Sequence, residues 1–85
     1  MRQVNRNYSV SLTEIELSVL DSLAMGLSNK EIGEKLGVTD KVIGIYVKKI
    51  CIKRGYRNRV EAATERMKEI IRCKLEAMGI RDIDI

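Results

Sequence analysis

Ser28-Asn29-Lys30-Glu31-Ile32-Gly33-Glu34-Lys35-Leu36-Gly37-Val38-Thr39-Asp40-Lys41-Val42-Ile43-Gly44-Ile45-Tyr46-Val47-Lys48-Lys49 is the stretch on which the fold turns. Ser28 with Glu31 three residues on is a capping box: the hydroxyl accepts from a first-turn N–H and the carboxylate reaches back to the cap. Ile32 and Leu36 fall on one side of the helix that follows. Gly37 suits the left-handed position that closes a helix. Thr39 stands where it can cap the next one, with Val38 and Ile43 at the two positions of a hydrophobic staple. Ile43, Val47, Ile50 and Cys51 then repeat at helical spacing, while Lys41, Gly44, Ile45, Lys48, Lys49 and Ile52 fall on the opposite side. The spacing predicts helices over 29–36 and 40–54, the second closed by Gly55 and joined to the first by Leu36-Gly37-Val38-Thr39.

On the N-terminal side, Leu12, Glu16, Leu17, Val19, Leu20, Leu23 and Leu27 form a stripe of helical period. Thr13 and Glu16 form another capping box, and Gly26 marks the stop, so a helix is expected over 13–25. On the C-terminal side, Asn58 and Glu61 open a fourth helix over 58–78, ended by Gly79. Its stripe runs through Val60, Ala63, Met67, Ile70, Ile71, Lys74, Leu75 and Met78. Residues 1–11 lack periodicity and are expected to form a flexible arm, and 80–85 a short tail. The expected fold is all-α, four helices in one domain over 12–79, with a long last helix. That last helix outruns its three short neighbours, so its final turns call for another chain to cover them.

With 85 residues the chain holds one small domain, and a core of that size gains from oligomerisation. It has no His, Pro, Phe or Trp, which removes imidazole catalysis and Cys/His zinc sites. Two cysteines, Cys51 and Cys73, cannot build a disulfide framework and fit a reducing compartment. Cys51 reads as core, and Cys73 stands where it could face a partner helix. Neither a membrane-length apolar run nor a signal peptide is present, so a cytoplasmic location is expected. No acid, base and nucleophile converge, so neither an enzyme, a cofactor nor a small-molecule ligand is expected.

The net charge of +4 is unevenly placed. Residues 37–59 hold Lys41, Lys48, Lys49, Lys53, Arg54, Arg57 and Arg59 against Asp40 alone, whereas 13–36 carry two cations against five carboxylates. Such a block suits a phosphate-facing surface, because each cation near a phosphate releases condensed counterions. A solvated helix face is the other reading of a charge run. The two short helices and their Gly-containing link have the dimensions of a helix-turn-helix, and the basic block begins at its second helix. In that motif the second helix enters the major groove. The coincidence points to double-stranded DNA as the partner, while any three-helix bundle also contains two short helices joined by a tight turn.

The residues also carry a resemblance. Leu12-Thr13-x-x-Glu16-x-x-Val19-Leu20, then Leu23-Ala24-x-Gly26-Leu27-Ser28-Asn29-Lys30-Glu31-Ile32-Gly33-x-x-Leu36-Gly37-Val38-Thr39, resembles the LuxR/GerE-type DNA-binding domain. The likeness continues through Val47-x-x-Ile50-x-x-Lys53-x-Gly55 and Tyr56-Arg57-Asn58-Arg59-Val60-Glu61-Ala62, covering about residues 11–66 without gaps. It implies a four-helix domain whose third helix reads DNA and whose fourth often mediates dimerisation. Relatives usually carry a receiver or ligand-binding domain ahead of it; this chain resembles the standalone, GerE-like form. The recognition helix departs from the family's pattern: its common Thr is Val42, its common cation Gly44, its common His Tyr46, and its common Leu before Gly55 is Arg54.

Two functions are consistent with these features. In the first, a sequence-specific transcriptional regulator binds DNA as a homodimer. Lys30, Lys41, Lys48, Lys49, Arg57 and Arg59 supply phosphate contacts, Ile45 and Lys48 face base edges, and Gly44 permits close backbone approach. Ile45 either meets a thymine methyl or belongs to a partner-binding face, and Arg59 either binds phosphate or pairs inwardly with Glu16. Met67, Ile70, Ile71, Lys74, Leu75 and Met78 form the dimer interface. In the second, the domain has lost part of its readout and pairs with another regulator through its last helix, as an anti-activator or co-regulator.

Overall fold

In the computed structural model, which describes residues 11–79, four side-chain caps set the helix starts. Thr13 Oγ1 accepts the Glu16 N–H at 3.2 Å, and Glu16 Oε1 accepts the Thr13 N–H at 2.9 Å. Ser28 and Glu31 repeat the arrangement at 3.1 and 2.8 Å. Thr39 Oγ1 accepts from the Val42 N–H and Asn58 Oδ1 from the Glu61 N–H. The resulting elements are α1 (Glu14–Ala24), α2 (Asn29–Leu36), α3 (Asp40–Arg54) and α4 (Arg59–Ala77). Each expected helix is present, and the outer two are shorter only by their capping residues. At the fourth cap the Glu61 carboxylate reaches one residue beyond Asn58, accepting the Arg57 N–H at 2.6 Å. Among the described residues there is no strand. The arm and the tail lie outside the described residues, Ser11 apart. No helix of the described residues is long and apolar enough to cross a membrane.

The core is built unequally. Val19, Leu20 and Leu23 of α1, Ile32 of α2, and Ile43, Val47 and Ile50 of α3 are buried together. From α4 only Ala62 joins them. Burying the larger of these side chains stabilises the domain by roughly 1.5–3 kcal/mol each. α4 also packs the half-buried Ala63 against this core and adds polar contacts: Arg66 Nε lies 2.6 Å from Asp21 of α1, and its Nη1 lies 3.0 Å from Glu69 of α4 itself. Arg54 of α3 reaches the same Glu69 at 3.6 Å.

One acidic residue sits inside the α1 stripe. Glu16 is 4% exposed, and Lys53 Nζ of α3 stands 2.7 Å from its Oε1. The inward partner of Glu16 is thus Lys53 and not Arg59. Lys53 lies on the side of α3 turned to α1, whereas Arg59 opens α4 beside the start of α2. The hydrogen bond from Lys53 holds the Glu16 carboxyl below the usual glutamate range, against the opposing effect of burial. A lowered native pKa stabilises the fold fully above the ordinary glutamate pKa of about 4.3 and loses that contribution as pH falls toward the native value. Glu16→Gln should therefore cost about 1.5–3 kcal/mol at neutral pH. It should also flatten the loss of stability on acidification below about pH 5, measured by urea melts across pH.

Candidate nucleic-acid interface

The α3 helix shows the core one face and solvent the other. Lys41, Lys48 and Lys49 are exposed, as are Ile45 (57%) and Ile52 (61%) between them. Tyr46 is half-buried against the core, and so is Cys51, whose thiol pKa burial raises. Lys30 is exposed in the first turn of α2. Among the described residues none pairs with Lys30, Lys41, Lys48 or Lys49.

Of the remaining cations of the basic block, Lys53, Arg54 and Arg59 are engaged internally, and Arg57 is not. Lys53 is bound to Glu16 and Arg54 to Glu69. Arg57 reaches Glu61 at 3.5 Å, but its side chain is 84% exposed, and such an exposed pair leaves its charge available to solvent. Arg59 is half-buried. Its Nη1 donates to Asn29 Oδ1 at 2.6 Å and its Nη2 to the Leu27 carbonyl at 3.4 Å. The block that looked uniform in sequence is therefore an outward set, Lys41, Lys48 and Lys49 on α3 with Arg57 beyond its end, and an inward set, Lys53, Arg54 and Arg59, that joins the helices.

Two glycines shape this surface in different ways. Gly44, half-buried on the solvent side of α3, has ordinary helical backbone, and a Cβ there would meet only Asn29 Nδ2, at 3.7 Å. Gly33 is buried. A Cβ at that position would lie 2.6 Å from the Val38 carbonyl oxygen and 3.2 Å from the Thr39 carbonyl carbon. The Val38 N–H also donates to the Gly33 carbonyl at 2.9 Å. Nothing local in the sequence distinguishes Gly33, because its constraint comes from a carbonyl that returns only after the turn. Asn29 was likewise invisible as a bridge, since at the start of a helix a polar residue is unremarkable.

On α4, Ile71 is 38% and Met78 70% exposed, Lys74 is exposed, and Met67, Ile70 and Leu75 are half-buried. Met67 and Ile71 line a shallow groove with Leu23 and Ala24 of α1. Val60 of the expected stripe is turned outward, 69% exposed. Cys73 is exposed beside these residues.

A cationic, solvent-facing second helix held by a tight turn to a short first one defines a helix-turn-helix domain. The chain belongs to the luxR family of bacterial regulatory proteins, whose model matches residues 10–66. It is 44% identical over 57 residues to the transcriptional regulatory protein LnrK of Bacillus subtilis, covering 67% of this chain and 26% of that protein. It is 41% identical over 51 residues to the nitrate/nitrite response regulator protein NarP of Escherichia coli, covering 60% of this chain and 24% of that protein. Against the transcriptional regulatory protein LiaR of Bacillus subtilis it is 42% identical over 53 residues, 62% of this chain and 25% of that one. The chain thus spans about a quarter of the length of these relatives. No solved structure gives a significant match.

The two glycines make opposite predictions. Gly33→Ala should destabilise by about 1–3 kcal/mol, because backbone and not a flexible side chain must yield. Gly44→Ala should stabilise by up to about 1 kcal/mol, because ordinary helix gains from Ala and there is room for it. Parallel thermal melts of both variants check the pair.

Proposed function

We propose that this domain is a transcriptional regulator that binds double-stranded DNA in a sequence-specific way as a homodimer, with α3 in the major groove. The observation that carries the reading is the unpaired set Lys41, Lys48 and Lys49 on the exposed face of α3, beside Lys30, while other cations of the block are engaged inside the domain. Exposed lysines without carboxylate partners keep their charge for phosphate. The family and its transcriptional regulators support the same reading.

In it Lys30, Lys41, Lys48, Lys49 and Arg57 meet phosphates, and Lys48 and Ile45 face base edges. Apolar side chains read the thymine methyl, which gives the exposed Ile45 a use. Gly44 leaves the groove room to approach, and Arg59, also bound to Asn29 and the Leu27 carbonyl, adds its charge beside Lys30 for phosphate. Met67, Ile70, Ile71, Lys74, Leu75 and Met78 pair α4 with a second copy, covering apolar surface that would otherwise face water. A two-fold dimer then reads half-sites about 34–36 Å apart. The domain works in the cytoplasm, where its DNA is.

One observation favours a second reading. Val42, Gly44 and Tyr46 replace residues common in family recognition helices, and Gly44 leaves the middle of the face without a side chain. On that reading the domain pairs through α4 with another regulator and binds DNA weakly.

A salt titration separates the two. Binding to duplex DNA should weaken steeply with salt, and replacing both Lys48 and Lys49 by Ala should reduce the slope of log affinity against log salt by roughly 1.8. An unchanged slope would place the DNA elsewhere on the domain. Absence of binding by the unaltered chain at low salt would favour the second reading.

A further inference from the structure

We infer that the tail, residues 80–85, folds back along α4 and seats Ile80, Ile83 and Ile85 on the apolar groove between α4 and the end of α1. The tail and a second copy then compete for one face. The inference goes beyond the DNA-binding reading and does not depend on it.

The first observation is how this chain ends its helices. α1, α2 and α3 are each closed by a glycine with positive φ: Gly26, Gly37 and Gly55. In each case the residue after the glycine donates its N–H to a carbonyl of the last turn. Leu27 donates to Ser22 at 3.1 Å, Val38 to Gly33 at 2.9 Å and Tyr56 to Cys51 at 2.9 Å. This is the Schellman ending, which turns the chain back and brings the residue after Gly against the one five positions earlier. Leu27, Val38 and Tyr56 all pack against the core. α4 ends on the same device. Gly79 has φ of 85°, and its N–H donates to the Glu76 carbonyl at 3.0 Å, the inner bond of that motif. The residue after it is Ile80, again apolar, and five positions before Ile80 stands Leu75.

The second observation is what lies beyond Leu75. Ile71 and Met67 continue the same side of α4 in steps of four, and with Leu23 and Ala24 of α1 they line the open groove. From Gly79 back to Ile71 is about 12 Å of helix, and to Met67 about 18 Å. Extended chain advances about 3.3 Å per residue, so Ile83 reaches the level of Ile71 and Ile85 that of Met67. In an extended segment Ile83 and Ile85 share one side, and Asp82 and Asp84 the other. With the isoleucines inward, the carboxylates face the rim, where Lys68 borders the groove. A second copy would also cover Ile71 and Leu75. The tail is tethered within reach, however, which gives it an effective concentration on the order of millimolar. Pairing through α4 therefore requires each copy to release its tail.

Two variants test this: the chain ended after Gly79, and the full chain carrying Ile83→Asp. Both leave the residues of the four-helix core unchanged. In the unaltered chain, methyl NOEs should join Ile83 to Ile71 and persist on dilution. Both variants should move the amide shifts of Ala24, Met67, Lys68 and Ile71. In sedimentation both should self-associate more tightly, by roughly tenfold to a hundredfold, because the unaltered chain is competent only while its tail is free. Shift changes confined to residues beside the altered site overturn the inference. NOEs found only between differently labelled copies also overturn it, since they would seat the tail on a second copy. Retained NOEs with self-association unchanged in both variants overturn the competition, and with it the pairing of copies through α4.

Discussion

Backbone meets backbone at Gly33. The Val38 carbonyl oxygen lies 2.6 Å from where any other residue would carry its Cβ, and the Val38 N–H returns a hydrogen bond to the Gly33 carbonyl. This contact sets how closely the turn folds under α2, and so where α3 begins. The rest of the candidate surface depends on that placement. It puts Asn29 of α2 beside Gly44 of α3, buries Ile32 with Ile43, and leaves Lys41, Lys48 and Lys49 facing water. A small domain with few large side chains has little else to define a fixed angle between two short helices.

Charge is sorted by depth. Glu16 is nearly fully buried and draws Lys53 toward α1, and Asp21 and Glu69 hold Arg66 between α1 and α4. A buried carboxylate without its cation would be costly, so these pairs specify which helix lies against which at least as much as they stabilise. Removing those cations from the surface leaves the unpaired lysines of α3 as its distinct positive feature. α4 contributes one fully buried residue to the core, packs half-buried residues such as Ala63 and Met67 beside α1, and adds ion pairs to α1 and α3. Its outer face, with Ile71 and Met78 exposed, is therefore open to a further contact.

Features governed by near neighbours in the chain were legible in the sequence. Thr13, Ser28, Thr39 and Asn58 act within three residues of themselves, and Gly37 and Gly55 close their helices with φ of 77° and 75°. These local signals define the helices almost to the residue. The exposed side of α3 was legible too, because period alone opposes Lys41, Lys48 and Lys49 to Ile43, Val47 and Ile50. Partnerships across helices were not. Glu16 shows only that a carboxylate sits in an apolar stripe, and whether Lys53 or Arg59 answers it depends on how α3 and α4 pass α1. Val60 has the spacing of a core residue, yet α4 begins at the rim of the core and turns it outward. Gly33 meets backbone brought near by the turn, and Asn29 meets the Arg59 guanidinium from the start of α4, so composition and period contain no sign of either contact.

On the proposed function, DNA lies on the outward face of α3 and the start of α2. Amide chemical shifts of the labelled chain, followed while a duplex selected by it from a random pool is added, locate that contact residue by residue. The largest changes should fall on Lys30, Lys41, Gly44, Ile45, Lys48 and Lys49, with the core side of α3 less affected. Changes confined to the outer face of α4 around Ile71 and Met78, with α3 silent, would contradict it.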